Sequence, residues 1–156
     1  MIVAWRLSKA RHADTAFTGE GSRLGGGRWN SRGTSVVYLA DSLALAALEQ
    51  FVHLRKASSR ISFVSFKVEI PDGVSVAKLD VGRLPSNWRV EPPPTEAMSI
   101  GDRWVRGGSS AVLTAPSVII PEELNYVLNP LHPDFGKIKV HSPKPFSFDP
   151  RMWKQA

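Results

Sequence analysis

The sequence contains no cysteine. Disulfides and thiolate metal sites are thereby excluded, and the composition fits a reducing compartment. No apolar run approaches the ~18 to 20 residues of a membrane span, so no membrane association is expected. The opening MIVAWRLSKA lacks a basic segment ahead of an apolar one, so no secretory leader is expected and a cytoplasmic location is. There is no block of like charges, no internal repeat and no linker-like stretch. The four histidines, His12, His53, His132 and His141, lack metal-ligand spacing, and H-E-x-x-H and G-x-S-x-G are absent. Neither a metal site nor a serine triad is expected.

What is present is a chain of 156 residues, 42% hydrophobic and 22% charged, long enough for one domain with a sizeable core. Lys and Arg outnumber Asp and Glu by 20 to 14, for a net charge of +6. A basic balance implies something anionic: nucleic acid, a phosphorylated small molecule or an acidic protein. The five tryptophans are not interleaved with basic residues as a nucleic-acid stacking platform would require. Direct nucleic-acid binding without catalysis is therefore the minor reading, beside that of a pure interaction protein.

Hydrophobic periodicity predicts a strand at 2–7, a buried strand at 34–40, and a helix over 41–56 with Asp41 as N-cap. Residues 61–70 alternate, with Val64, Phe66, Val68 and Ile70 on one face. A short strand at 74–80 precedes a proline-rich loop. A helix at 95–107 is weakened by Gly101, and a strand opening at 110 breaks at Pro116. Residues 122–129 read as a helical turn or an extended segment; KIKVHS reads as a late strand and PFSFDPRMW as a tail. Strands arriving in runs favour α+β over a doubly wound fold.

The glycine-rich stretch GEGSRLGGGRWNSRG, residues 19–33, invites a phosphate-loop reading. It fails the P-loop pattern, because Gly27 and Arg28 stand where Lys and Ser/Thr belong. It fails G-x-G-x-x-G at Leu24. What remains is Arg28, a planar fork suited to phosphate, beside Trp29, a stacking face. The alternative is a surface turn with Trp29 plugging the core. Glu49 has Leu45, Ala46 and Val52 as helical neighbours, so its carboxylate should be partly desolvated. It either carries a function or pairs at the boundary with Arg55 or Lys56. Tyr38 is core filler or a pocket ring. Ser117, after Pro116, lies at a strand end.

Taken in order, G-G-R-W (Gly26–Trp29), V-V-Y-L-A (Val36–Ala40), A-L-E (Ala47–Glu49), A-P-S-V-I-I-P (Ala115–Pro121) and N-Y-V-L-N-P-x-H-P (Asn125–Pro133) resemble the RES-domain family. The resemblance covers nearly the whole chain. It implies one RES domain over 1–156, with a core of about 2–141 and a tail of 142–156. The implied fold is α+β and ADP-ribosyltransferase-like, a mainly antiparallel or mixed sheet with two or three helices.

The resemblance further implies a toxin held by a cognate Xre-family antitoxin. NAD+ would be its substrate, with no separate cofactor. The activity would be NAD+ glycohydrolase or phosphorylase, depleting NAD+, or ADP-ribosyl transfer to a protein acceptor. Arg28 and Glu49 would be the family Arg and Glu. Ser117 would be the family Ser, with Ser109 and Ser110 as rivals, and Tyr38 a pocket tyrosine. Glu49 would stabilise the oxocarbenium-like ribosyl cation. Arg28, together with Arg6, would hold phosphate. Trp29 and Tyr38 would stack on the substrate, and Ser117 would hydrogen-bond phosphate or the nicotinamide amide. No second carboxylate near Glu49 in sequence plainly orients an acceptor; Glu69 and Glu20 would serve only if the fold brought them close. Phosphorolysis would need a further basic site, for which Arg6, Arg23, Arg32 or Arg55 are candidates.

Overall fold

In the computed structural model, which describes residues 1–154, an eight-stranded sheet carries two helices on one face. Its strands are β1 (Ile2–Lys9), β2 (Val37–Ala40), β3 (Phe63–Ile70), β4 (Val76–Lys78), β5 (Val112–Pro116), β6 (Leu124–Leu128), β7 (Lys139–Val140) and β8 (Lys144–Phe146). The order is β4-β5-β6-β2-β1-β3-β7, with β8 also pairing β3. Only β4 and β5 run parallel; the other pairs are antiparallel. The helices are α1 (Glu20–Gly25), α2 (Leu43–Phe51) and α3 (Thr95–Gly107). The fold is thus α+β with a mixed, mainly antiparallel sheet.

Alternation along the strands sorts the core into two faces. One face gathers Ala4, Val37, Leu39, Val68, Ile70, Val112, Tyr126 and Leu128, with Phe17, Phe135 and Ile138 from the loops against it. The other divides in two. Leu113, Ala115, Val127 and Tyr38 pack with Trp29, Ala97 and Trp104 beneath α3. Leu7, Ala40 and Phe63 pack with Leu45 and Ala46 of α2. Phe148 and Trp153 join this second group, so the tail packs on the domain.

Several local expectations change. Asp41 does not cap α2; it accepts a hydrogen bond from the Tyr126 hydroxyl at 3.0 Å. The N-cap is Ser42, whose side chain accepts from Leu45 N. The helix ends at Phe51, short of Arg55 and Lys56. Residues 124–128 are extended because all five pair with β5 and 125–128 pair with β2 as well, and Tyr126 and Leu128 fill the core. The glycine-rich stretch contains the short helix α1, which hydrophobic periodicity did not reveal. α3 spans its expected range, and Gly101 within it has a packing reason. A Cβ there would stand 1.6 Å from the Trp29 carbonyl oxygen, so only glycine lets helix and loop touch.

Candidate active site

Helix α2 lies over the sheet face that carries Ala40, and this turns Glu49 toward the ends of β5 and β6. Glu49 Oε1 accepts from Ser117 Oγ at 2.9 Å. Asn125 Nδ2 reaches both carboxylate oxygens, at 2.8 and 2.9 Å. Ser117 is fully buried and sits just beyond β5, where its N–H bonds the Glu123 carbonyl at 2.9 Å. Its hydroxyl accepts from the backbone N–H groups of Ile119 and Ile120, both at 3.1 Å. That leaves its proton directed at Glu49. The hydrogen-bonding capacity of the serine is used in full.

Burial pushes the Glu49 carboxyl above its ordinary range, and the hydrogen bonds from Asn125 and Ser117 pull it back. The charge of His53 also favours ionisation, and that of Glu123 opposes it. The outcome is a half-buried carboxylate with oriented donors and, among the described residues, no ion-pair partner, a group suited to stabilising a positive charge that develops nearby.

Tyr38 projects from the same sheet face. Ala40 pairs with Asn125 and Tyr38 with Val127, so Tyr38 is the diagonal neighbour of Asn125. Its hydroxyl donates to Asn30 Oδ1 at 2.6 Å and accepts from Trp29 N at 3.0 Å. Burial raises its pKa. A Cβ on Gly27 would lie 2.8 Å from this hydroxyl, which is why glycine precedes Arg28. Tyr38 therefore ties the Arg28 loop to the sheet. Asn30, fully buried, donates to the carbonyls of Ser22, Ser31 and Thr34 and holds the rest of the loop. Asp102 of α3 accepts from the Ser31 N–H at 3.0 Å and from the Ser31 hydroxyl.

Arg28 is engaged by the 85–94 loop. Its guanidinium donates to the carbonyls of Trp88, at 3.1 Å, and Val90, and to Glu91 Oε2 at 2.6 Å. The next residue but one before Glu91, Arg89, donates to Val118 O at 3.2 and 2.8 Å. The loop is thus anchored at Arg28 and beside Ser117.

The structure brings Glu49 and Ser117 into contact, and joins Tyr38 to the loop that carries Arg28. Two expected contributors lie elsewhere. Trp29 is 1% exposed and stacks on Trp88 at 6.0 Å, so its rings belong to the core and offer no ligand face. Arg6 is on the opposite sheet face, in line with Ala4, which pairs with Val68 as Arg6 does with Phe66. It donates to the Tyr38 carbonyl at 3.0 Å and lies over the Phe17 ring, and burial lowers its pKa to about 10. Arg6 steadies β2 from behind rather than facing the site. Of the rival serines, Ser110 is committed to Trp104 Nε1 and the Val112 carbonyl, and Ser109 is exposed.

Asn125, Asn30 and Asp102 were not anticipated. Asn125 left one signal: an amide on the inward face of an otherwise apolar strand. Of the alternative carboxylates, Glu69 pairs with His141 at 2.8 Å and Glu20 with Arg23 at 2.6 Å. A cleft of about 590 Å³ lies between the segment that follows β4 and the start of α3, lined by residues such as Leu79, Arg83, Glu96 and Trp104, and Glu49 is not among its lining residues. Among the described residues no helix is long and apolar enough to cross a membrane.

An α+β sheet whose helix-covered face holds an oriented, half-buried Glu–Ser–Asn cluster defines the class of site. The comparisons identify the family. Residues 3–149 match the RES domain. The chain is 39% identical to the Prs ADP-ribosylating toxin of Sphingobium sp. (strain YBL2), over 97% of each chain. It is 38% identical to the Toxin Res of Yersinia enterocolitica, over 97% of this chain and 99% of that one. It superposes with a TM-score of 0.76 and 16% identity on a chain from the crystal structure of the M. tuberculosis MbcT–MbcA toxin–antitoxin complex, covering 97% and 86% of the two chains. This last likeness bears on the fold. The chain belongs to the RES-domain family and aligns end to end with proteins of its toxin class.

Proposed function

We propose that this protein is the toxin of a toxin–antitoxin pair and cleaves the nicotinamide–ribose bond of NAD+. The observation that carries the reading is the Glu49 carboxylate, half-buried and aimed by Ser117 and Asn125. The nicotinamide of NAD+ leaves as a neutral base, and positive charge passes to the ribose ring. A preorganised anion with no competing cation stabilises that state more than it stabilises the substrate. Glu49 is the group that does this. Ser117 and Asn125 orient its carboxylate and favour the ionised form against the effect of burial. Arg28 supplies a cation for the pyrophosphate once released from Glu91, and Tyr38 holds the Arg28 loop at the correct height above the sheet.

Hydrolysis and phosphorolysis would both deplete NAD+. Transfer of ADP-ribose to a protein is the second reading, favoured by the name of the Sphingobium relative. By analogy with the toxin–antitoxin complex that shares the fold, an antitoxin, expected to be of the Xre family, would restrain the protein in the cytoplasm. The test is nicotinamide release from NAD+ by purified protein, with and without phosphate and with a cell extract as acceptor. Glu49→Gln should lower the rate by about 10²- to 10³-fold, the usual cost of removing one charge stabiliser. Wild-type turnover by that variant, or none by the parent under any condition, refutes the reading.

A further inference from the structure

Cleavage of the glycosidic bond needs an acceptor as well as a stabilised cation, and no second carboxylate lies near Glu49 in sequence. One lies near it in space. The β5–β6 pairing ends at Pro116 and Leu124, and the bond from Ser117 N to Glu123 O carries it one residue further. Glu123 is therefore opposite Ser117. It lies on the bend that leads into β6, two residues before Asn125, and its own N–H bonds the Ile120 carbonyl at 2.9 Å. Ser117 and Asn125 are the two side chains that hold Glu49. Glu123 is part-buried, and among the described residues it forms no ion pair. Its charge is felt at Glu49, as is that of His53 on the turn after α2. A carboxylate without an ion-pair partner, on the residue whose carbonyl holds the Ser117 N–H, is a candidate for a chemical role at this site.

The site is ordered along β6 and the bend that precedes it. Val127 faces Tyr38, Asn125 faces Glu49, and Glu123 comes last. Glu123 lies just before the first residue of β6, at the end of the strand away from Val127 and Tyr38.

We propose that Glu123 is the acceptor-activating base of this site. We further propose that the acceptor is neutral or cationic, namely water or a hydroxyl or amino group, rather than inorganic phosphate. The proposal rests on the NAD+-cleaving reading above and refines it. The acceptor atom bonds to ribose C1′ as the C1′–nitrogen bond breaks. The electron pair of that bond goes to the nicotinamide ring, which leaves neutral, and the acceptor's proton goes to the Glu123 carboxylate. No oxidant or reductant is involved. Two adjacent carboxylates, Glu49 and Glu123, repel a phosphate dianion but not water.

The test compares the parent, Glu123→Gln and Glu49→Gln for NAD+ turnover, with products identified, in the presence and absence of phosphate and of sodium azide. Glu123→Gln should lower kcat by about 10²-fold or more, as for loss of a general base, with KM little changed. Azide has no proton to remove. It should restore turnover to Glu123→Gln, giving a ribosyl azide, and should leave Glu49→Gln inactive. A folding defect would not be repaired by azide, so rescue separates a chemical role from a structural one. The parent should yield free ADP-ribose at a rate indifferent to phosphate. Near-parental kcat in Glu123→Gln, a loss that azide does not restore, or a ribosyl phosphate product overturns the proposal. If the parent releases no nicotinamide with any acceptor, the underlying function fails first and this proposal falls with it. If the parent turns over and Glu123→Gln does so equally, only the role of Glu123 is lost.

Discussion

Arg28 is the cation offered for the pyrophosphate, and its guanidinium is already occupied by Glu91 at 2.6 Å. If both readings hold, substrate and Glu91 compete for one fork. Glu91→Gln keeps the side-chain shape and removes the charge. The Glu91 side chain is 69% exposed and the Arg28 side chain 12% exposed, so solvent screens one end of the pair. Pairs exposed in this way contribute about 0.2–1 kcal/mol. Spread over the binding equilibrium, that is a fall in KM for NAD+ of about 1.4- to 5-fold, with kcat unchanged, from RT of about 0.6 kcal/mol. The assay is nicotinamide release across a range of NAD+ concentrations. The control is a cycle with Arg28→Ala, in which KM rises and the Glu91 substitution has no further effect. An unchanged or raised KM in Glu91→Gln, or a benefit that persists without Arg28, refutes the competition.

Two other substitutions probe the frame of the site. Asn125→Ala removes the donor shared by both Glu49 oxygens. A hydrogen bond to a charged group contributes about 1.5–3 kcal/mol, and about 1.4 kcal/mol corresponds to one pKa unit. The donor favours the ionised form, so its loss moves the Glu49 pKa further up. Because activity requires ionised Glu49, the acidic limb of the kcat/KM profile should move to higher pH by about 1–2 units; an unmoved limb would show that Asn125 does not tune Glu49. Gly101→Ala gains helix propensity of about 1 kcal/mol but drives a Cβ into the Trp29 carbonyl, 1.6 Å away. Denaturant unfolding should show a net loss of about 1–3 kcal/mol from overpacking, and a more stable variant would contradict the contact. Glu49→Gln should raise thermal stability above the pH window in question. The carboxyl pKa is higher in the folded chain than in the unfolded one, so the folded state binds more protons and the parent loses stability as pH rises from the unfolded value through the folded one. A melting temperature that falls at neutral pH would show that the Ser117 and Asn125 bonds outweigh the burial of the charge.

The strands were legible because alternation needs only neighbours. Val64, Phe66, Val68 and Ile70 share an inward face by local spacing alone. The setting of Glu49 was legible for the same reason, since Leu45 and Ala46 lie on its side of one helix. Its partners were not, because Ser117 and Asn125 are 68 and 76 residues away and meet it only when β5 and β6 close against β2. Arg28 misled in a related way. A glycine-flanked Arg–Trp pair reads as one ligand-facing unit, yet neighbouring side chains on an irregular loop need not point together. The Gly101 contact pulls the Trp29 backbone against α3 and buries its rings, while Arg28 turns to the 85–94 loop. The informative residue was therefore a polar one on a regular element. In LNYVL, Tyr126 belongs to the core face, so Asn125 must leave by the other face, and an inward amide there requires a partner. Carried to the bend just before that strand, the search for polar groups near Glu49 reaches Glu123, whose carboxylate forms no ion pair among the described residues.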